Sequence, residues 1–346
     1  MSRMIEEIRE QPLALARTLQ GGIARAQRFR RLVEAKRPRL LVLVARGTSD
    51  NAALFGRYLL EIATGIPVSL AAPSIATLYQ AQVDYRDALV VALSQSGEST
   101  DTNLILELAR ARGAMTLGIT NERASALAGL AEHVWLVRAR KERSVAATKT
   151  YTGQMLLLYL LAYALGGRIR LSDLERLPAM VEDALSLEEE VTELASRYRF
   201  MNRAVVVGRG LNYANAFEFS LKLMETCYVV AERFSSADFL HGPIAMAEPG
   251  VPVFAFAPSG VTWPSIGQTM EKLRGMRAEV LAIADPANRE VAARASRVIR
   301  LPHRIPEALT PIPYIVPAQI FAACLAVEKG LDPDRPRTLS KVTRTM

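Results

Sequence analysis

The internal repeat in this chain constrains its fold more than any other feature. LLVLVARGTSDNAA (40–53) is echoed by AVVVGRGLNYANA (204–216), and ALVVALSQSG (88–97) by VPVFAFAPSG (251–260). Both matches keep a spacing of 163 residues, from Gly47 to Gly210 and from Gly97 to Gly260. TLGIT (116–120) and HVWLV (133–137) then find counterparts in VLAIA (280–284) and RVIRL (297–301). A strand-and-helix unit that recurs in one order at one offset marks a duplication. Each copy alternates short apolar runs with helical stretches. That pattern predicts an α/β domain on a mainly parallel sheet flanked by helices, doubly wound. The expected organisation is an N-terminal helical segment (1–34), a first domain (35–190), a second domain (191–330) and a C-terminal tail (331–346).

Sheets of this kind bind ligands beyond the carboxyl ends of their strands, near a topological switch point. Two segments of the first copy occupy such ends. RGTS (46–49) follows LLVLVA, with Ser49 or Asp50 expected to cap the next helix. SQSGESTDT (94–102) follows DALVVAL and carries five hydroxyls, on Ser94, Ser96, Ser99, Thr100 and Thr102. Backbone N–H groups and the helix dipole favour an anion there. The hydroxyls add compact donors, and Gly97 lets the backbone approach a ligand. The pattern suits a phosphate monoester, although it lacks the Walker spacing GxxxxGK(S/T). A serine-rich turn that only caps a helix accounts for the stretch equally well.

Composition narrows the class. Half of the 346 residues are hydrophobic and 23% are charged, so a large core is available. The net charge of +8 is compatible with nucleic acid, anionic lipid or small anions. Its densest stretch, RAQRFRRLVEAKRPR (25–39), places Phe29, Leu32 and Val33 at helical spacing. An amphipathic helix with a solvated basic face is expected, and no nucleic-acid partner. The start, MSRMIEEIREQPLALARTLQ, is charged throughout, unlike a signal peptide. MLLLYLLAYAL (155–165) is too short to span a bilayer, so no membrane association is expected. Cys227 and Cys324 form no disulfide framework, and His133, His241 and His303 are scattered, which predicts no metal site. A cytoplasmic setting and no cofactor follow as expectations.

Five segments in series carry a family resemblance: RGTS (46–49), SQSGES (94–99), SVAATKTYTGQ (144–154), LKLMETCYVVAERFSSADFLHGP (221–243) and DPDRPRTLSKVT (332–343). EIREQPLAL (7–15) precedes them. Together they resemble the SIS-domain sugar isomerases, above all the isomerase half of glucosamine-6-phosphate synthase and the stand-alone glucosamine-6-phosphate deaminases. The resemblance implies that Ser49, Ser94, Gln95, Ser96 and Ser99 hold a sugar phosphate, flanked by Gly47, Thr48 and Gly97. It places Val145 and Ala147 at the sugar hydroxyls, with Ala147 standing where the synthase has a serine. Glu225 is implied as the base moving a proton between C1 and C2, and Lys222 as the cation near the developing oxyanion. His241 is implied as the ring-opening acid/base, supplied across a homodimer with shared active sites. Lys341 is implied as a Schiff-base lysine on a tail that closes over the sugar.

These residue types suit aldose–ketose chemistry, which needs a ring-opening acid/base, a carboxylate shuttle, a cation beside the enediol and an amine for a ketone. Taken singly, a Lys–Glu pair three apart is commonly a surface ion pair, and Lys341 a solvated tail residue. MSRMIEE enters the isomerase half directly and no cysteine precedes residue 227, so no glutamine-hydrolysing part is expected. The expected reaction is glucosamine 6-phosphate to fructose 6-phosphate with loss of ammonia. A deglycase acting on a sugar-phosphate–amino-acid adduct and a non-catalytic sugar-phosphate sensor are the alternatives.

Overall fold

The computed structural model describes residues 2–341, so VTRTM (342–346) lies outside the described residues. The chain forms two compact units. Of the described residues, the first-sheet unit takes Glu10–Glu142, Ala147–Arg176 and 339–341. The second-sheet unit takes 2–9, Arg143–Ala146 and Leu177–Thr338.

The first-sheet unit carries β1 (Leu40–Val44), β2 (Val68–Leu70), β3 (Ala88–Ser94), β4 (Met115–Thr120) and β5 (His133–Leu136), in the order β2-β1-β3-β4-β5. Every pairing is parallel. A parallel sheet is covered by helices on both faces, so its central strands read as unbroken apolar runs. All seven residues of β3 are buried accordingly. The helix Lys149–Ala164 is buried except at Tyr163, and from Met155 onward it is apolar on every side, as an interior helix must be. It packs on the helices Gln11–Lys36 and Thr48–Thr64 and contains most of the MLLLYLLAYAL run. In Gln11–Lys36, Phe29 and Val33 are buried, and Phe29 stands edge-on to His133 and Trp135. Leu32 departs from the expectation and is 45% exposed. Phe29 and Val33 are four apart and share a face, while Leu32 is rotated one residue off it.

The second-sheet unit repeats this arrangement. Its strands are β6 (Arg203–Gly208), β7 (Val230–Ser235), β8 (Val253–Phe256), β9 (Val280–Ala284) and β10 (Arg297–Arg300), in the order β10-β9-β8-β6-β7. Read from the other edge, this is the order of the first sheet, again wholly parallel. The segments matched in sequence are thus β1 with β6, β3 with β8, β4 with β9 and β5 with β10. The chain is a duplicated doubly wound α/β fold. The helix Pro311–Glu328 is long and apolar enough to cross a membrane, but 83% of that window is buried in this unit. It packs on Tyr213–Cys227, Glu188–Ser196 and Leu177–Leu185. The carboxylate of Asp334 accepts from the backbone N–H of Arg3 and of Met4, each at 2.8 Å. Two donors left open at the start of the helix Arg3–Arg9 are satisfied by a residue more than 300 positions away.

Candidate active site

In the order β2-β1-β3-β4-β5 the winding of the sheet reverses between β1 and β3, and the loops after these two strands flank that point. The loop after β1 turns at Gly47, and the helix begins at Thr48 without a side-chain cap. The expected capping by Ser49 or Asp50 is therefore incorrect, because the helix starts before either residue. Ser49 is buried instead, and its Oγ accepts from Gln154 Nε2 at 2.9 Å. Gln154 is 1% exposed, and among the described residues its Oε1 has no hydrogen-bond partner. The sequence did not single it out, although it closes the SVAATKTYTGQ segment.

The loop after β3 is internally braced. Ser94 Oγ accepts from Gly97 N at 3.0 Å, and Ser96 Oγ from Glu98 N at 3.3 Å. Ser99 Oγ lies 3.0 Å from Thr102 Oγ1. The Gly97 carbonyl accepts from Asn103 Nδ2 and from Leu127 N, and the Gln95 carbonyl from Asn121 N. Gly97 has φ 69°, and a Cβ there would overlap the Ser125 side chain. Backbone and hydroxyl donors are thus held in a fixed arc. At its rim Arg46 Nη2 meets Asp101 Oδ2 at 2.6 Å, tying the start of one loop to the helix that follows the other. Val145 and Ala147 are half-buried in the connection ahead of Lys149–Ala164.

That connection also holds Glu142, which sequence reasoning passed over. Its carboxylate is fully buried and accepts from Thr148 N at 2.9 Å, Thr150 N at 3.2 Å and Thr150 Oγ1 at 2.5 Å. Lys341 Nζ sits 3.2 Å from Glu142 Oε2. Burial pushes the Glu142 carboxyl up, but the Lys341 charge, the Thr150 hydroxyl and the two amides hold it below the usual carboxylate range. Lys341 is not a freely solvated tail residue: its side chain is 24% exposed and tied to this carboxylate.

The second-sheet unit concentrates charge on the helix Tyr213–Cys227. Lys222 and Glu218 are fully buried one turn apart, with Nζ to Oε1 3.4 Å. On the other side Lys222 Nζ meets Glu225 Oε2 at 2.5 Å, and the Glu225 side chain is 24% exposed. Burial disfavours the Lys222 charge, but Glu218 and Glu225 more than offset it and raise its pKa. Lys222 is a fixed ammonium, and Glu225 is the member of the cluster that meets solvent. This is no surface ion pair. Glu218 was not anticipated, although its i,i+4 spacing to Lys222 is visible in FEFSLKLMET. His241 is exposed, just past the short helix Ser236–Leu240. Among the described residues no group of three or more His, Cys, Asp or Glu is placed to hold a metal.

A family model described as "SIS domain" matches residues 34–164 and 199–329, once on each sheet. The glutamine–fructose-6-phosphate aminotransferase (isomerizing) of Pyrococcus horikoshii is 36% identical over 98% of this chain. The chain spans 57% of that relative's length. The C-terminal domain of glucosamine-fructose-6-phosphate aminotransferase from Francisella tularensis superposes with a TM-score of 0.88, at 26% identity, over 97% of this chain and 98% of its own. The fold is shared too with glucosamine-6-phosphate deaminase from Thermotoga maritima, at TM-score 0.80 and 22% identity over 99% and 100% of the two chains. With its duplicated sheets each matched in full by the same model, this chain belongs to the SIS-domain family.

Proposed function

We propose that the chain is an isomerase and deaminase of phosphorylated amino sugars, converting glucosamine 6-phosphate and water to fructose 6-phosphate and ammonia. The observation that carries this reading is the buried Glu218–Lys222–Glu225 cluster, which offers one solvent-facing carboxylate beside a permanent cation. A protein that only senses a sugar phosphate has no use for it. The 36% identity to an isomerizing aminotransferase supports the same class.

In this reading Ser49, Ser94, Gln95, Ser96 and Ser99 take the phosphate, and Val145 and Ala147 border the sugar. His241 opens the ring by moving a proton between O1 and O5. Glu225 removes the C2 proton to give an enolamine and returns a proton to C1, leaving an imine at C2. Lys222 stabilises negative charge that develops at O1. The Lys341 amine displaces ammonia from C2, and water then releases the ketose. Lys341 must first yield its proton and leave Glu142. The exposed position of His241 supports its donation to a second copy in a homodimer.

An ammonia-release assay over phosphorylated amino sugars and glycated amino acids tests the reading. Ammonia and fructose 6-phosphate from glucosamine 6-phosphate, with solvent deuterium at C1, are expected. Release of an amino acid from a glycated substrate alone selects the deglycase. Tight sugar-phosphate binding without turnover selects the sensor.

A further inference from the structure

The duplication gives the second-sheet unit its own pair of loops at its own switch point, after β6 and after β8. The spacing of 163 residues sets Asn212 against Ser49, Ala257 against Ser94, Pro258 against Gln95, Ser259 against Ser96, Val261 against Glu98 and Thr262 against Ser99. This loop has lost the Ser94 hydroxyl and, at Pro258, a backbone N–H. Of the donors that remain, three are taken by one carboxylate. Glu307 Oε2 accepts from Val261 N at 2.6 Å. Glu307 Oε1 accepts from Thr262 N at 3.2 Å and from the Thr262 hydroxyl. Gly260 has φ 141°, and a Cβ there would fall on the Glu307 carboxylate, so only glycine admits the contact. The carboxylate is presented at the start of the helix Trp263–Gly275, where an anion is favoured.

The segment bearing Glu307 is anchored to the other loop of the pair. The Glu307 carbonyl accepts from Thr310 Oγ1 at 2.8 Å, and Thr310 Oγ1 accepts from Asn212 Nδ2 at 2.8 Å. Glu307 lies in the connection from β10 to Pro311–Glu328, the counterpart of the connection that carries Val145 and Ala147 in the first copy.

We propose that Glu307 is a built-in substitute for a phosphate. It fills the anion position of the second copy and restricts sugar-phosphate binding to the first, one per chain. The restriction rests on reading the loop 94–99 as the phosphate loop. The occupancy by Glu307 does not.

Calorimetric titration of the full chain with inorganic phosphate, with crystals soaked in the same ion, separates the two. Wild-type protein is expected to take one equivalent, at residues 94–99. Glu307→Ala is expected to take a second, seated on Val261 N and Thr262. A folded Glu307→Ala protein with no second equivalent at saturating phosphate overturns the proposal, as does wild-type density for phosphate at 260–262. If the phosphate reading of the first loop is wrong, wild-type protein binds none there, while Glu307→Ala still gains one. Should Glu307→Ala fail to fold, Glu307→Gln keeps an acceptor without the charge. Phosphate should then raise its melting temperature more than that of wild-type protein, against sodium chloride of equal ionic strength. An equal rise overturns the proposal.

Discussion

Replacing Lys222 by methionine probes the cluster on Tyr213–Cys227 most directly. Methionine matches the stem in length but removes the ammonium that faces Glu218 Oε1 at 3.4 Å and Glu225 Oε2 at 2.5 Å. Glu225, with 24% of its side chain exposed, recovers water and loses little. Glu218 is fully buried, so its charge is left in a medium that solvates it poorly. Breaking a buried pair by removing one partner costs about 3–5 kcal/mol, against roughly 0–1 kcal/mol for a solvated pair. That is at least about a hundredfold in the unfolding constant. The two tryptophans report separately, since Trp135 lies in the first-sheet unit and Trp263 in the second. Urea unfolding followed at Trp263 should show the loss at pH 7. Acid should shrink it, because a protonated Glu218 no longer carries the stranded charge. The double variant Lys222→Met, Glu218→Leu should recover most of it. A loss under about 1 kcal/mol for Lys222→Met, with no recovery in the double variant, would refute the argument that this cluster is dry.

Further outcomes follow from the same geometry. The Glu142 carboxyl is held below its ordinary value near 4.5, so its stabilisation is complete above the unfolded pKa and lost as pH falls through the folded one. The stability gap between wild-type protein and Glu142→Gln, about 3 kcal/mol at pH 7, should therefore close in acid; a pH-independent gap contradicts this. Gly97→Ala forces a side chain onto Ser125 at φ 69° and should cost about 1–3 kcal/mol while weakening hexose 6-phosphate binding at least tenfold by calorimetry. Mixing Glu225→Gln with His241→Ala subunits should restore part of the activity if His241 serves a neighbouring copy. Inactivity after proven subunit exchange rejects that arrangement.

The architecture was legible because it was written twice. Eight of the ten strands among the described residues follow from four matched pairs of apolar runs, since a buried parallel strand needs little beyond a short β-branched stretch; the edge strands β2 and β7 were in no matched pair. Helix starts were less legible. Ser49 has the composition of a cap, but Gly47 turns the chain first and Ser49 faces Gln154. Long-range partners left still weaker signals. Glu142 stands in RARKERS (138–144), where every neighbour suggests a solvated surface, and its burial depends on helix amides eight residues on and on Lys341, 199 residues away. Glu307 is similarly ordinary in RIPEALT until Gly260 is seen to make room for it.

The grip of Asp334 on Arg3 and Met4 bears on the order in which the units are assembled during synthesis. Once residue 176 has emerged from the ribosome, the first-sheet unit possesses all five strands and the helix that fills its interior. It lacks little beyond the stretch with Lys341. The second-sheet unit must keep its opening helix waiting through more than 300 residues of translation before the carboxylate that completes it exists. Domains made early generally collapse early, and closing so long a loop slows whatever depends on it. The helix Arg3–Arg9 is therefore expected to acquire protection from hydrogen exchange last on a stalled nascent chain, after the second sheet, which it precedes in sequence.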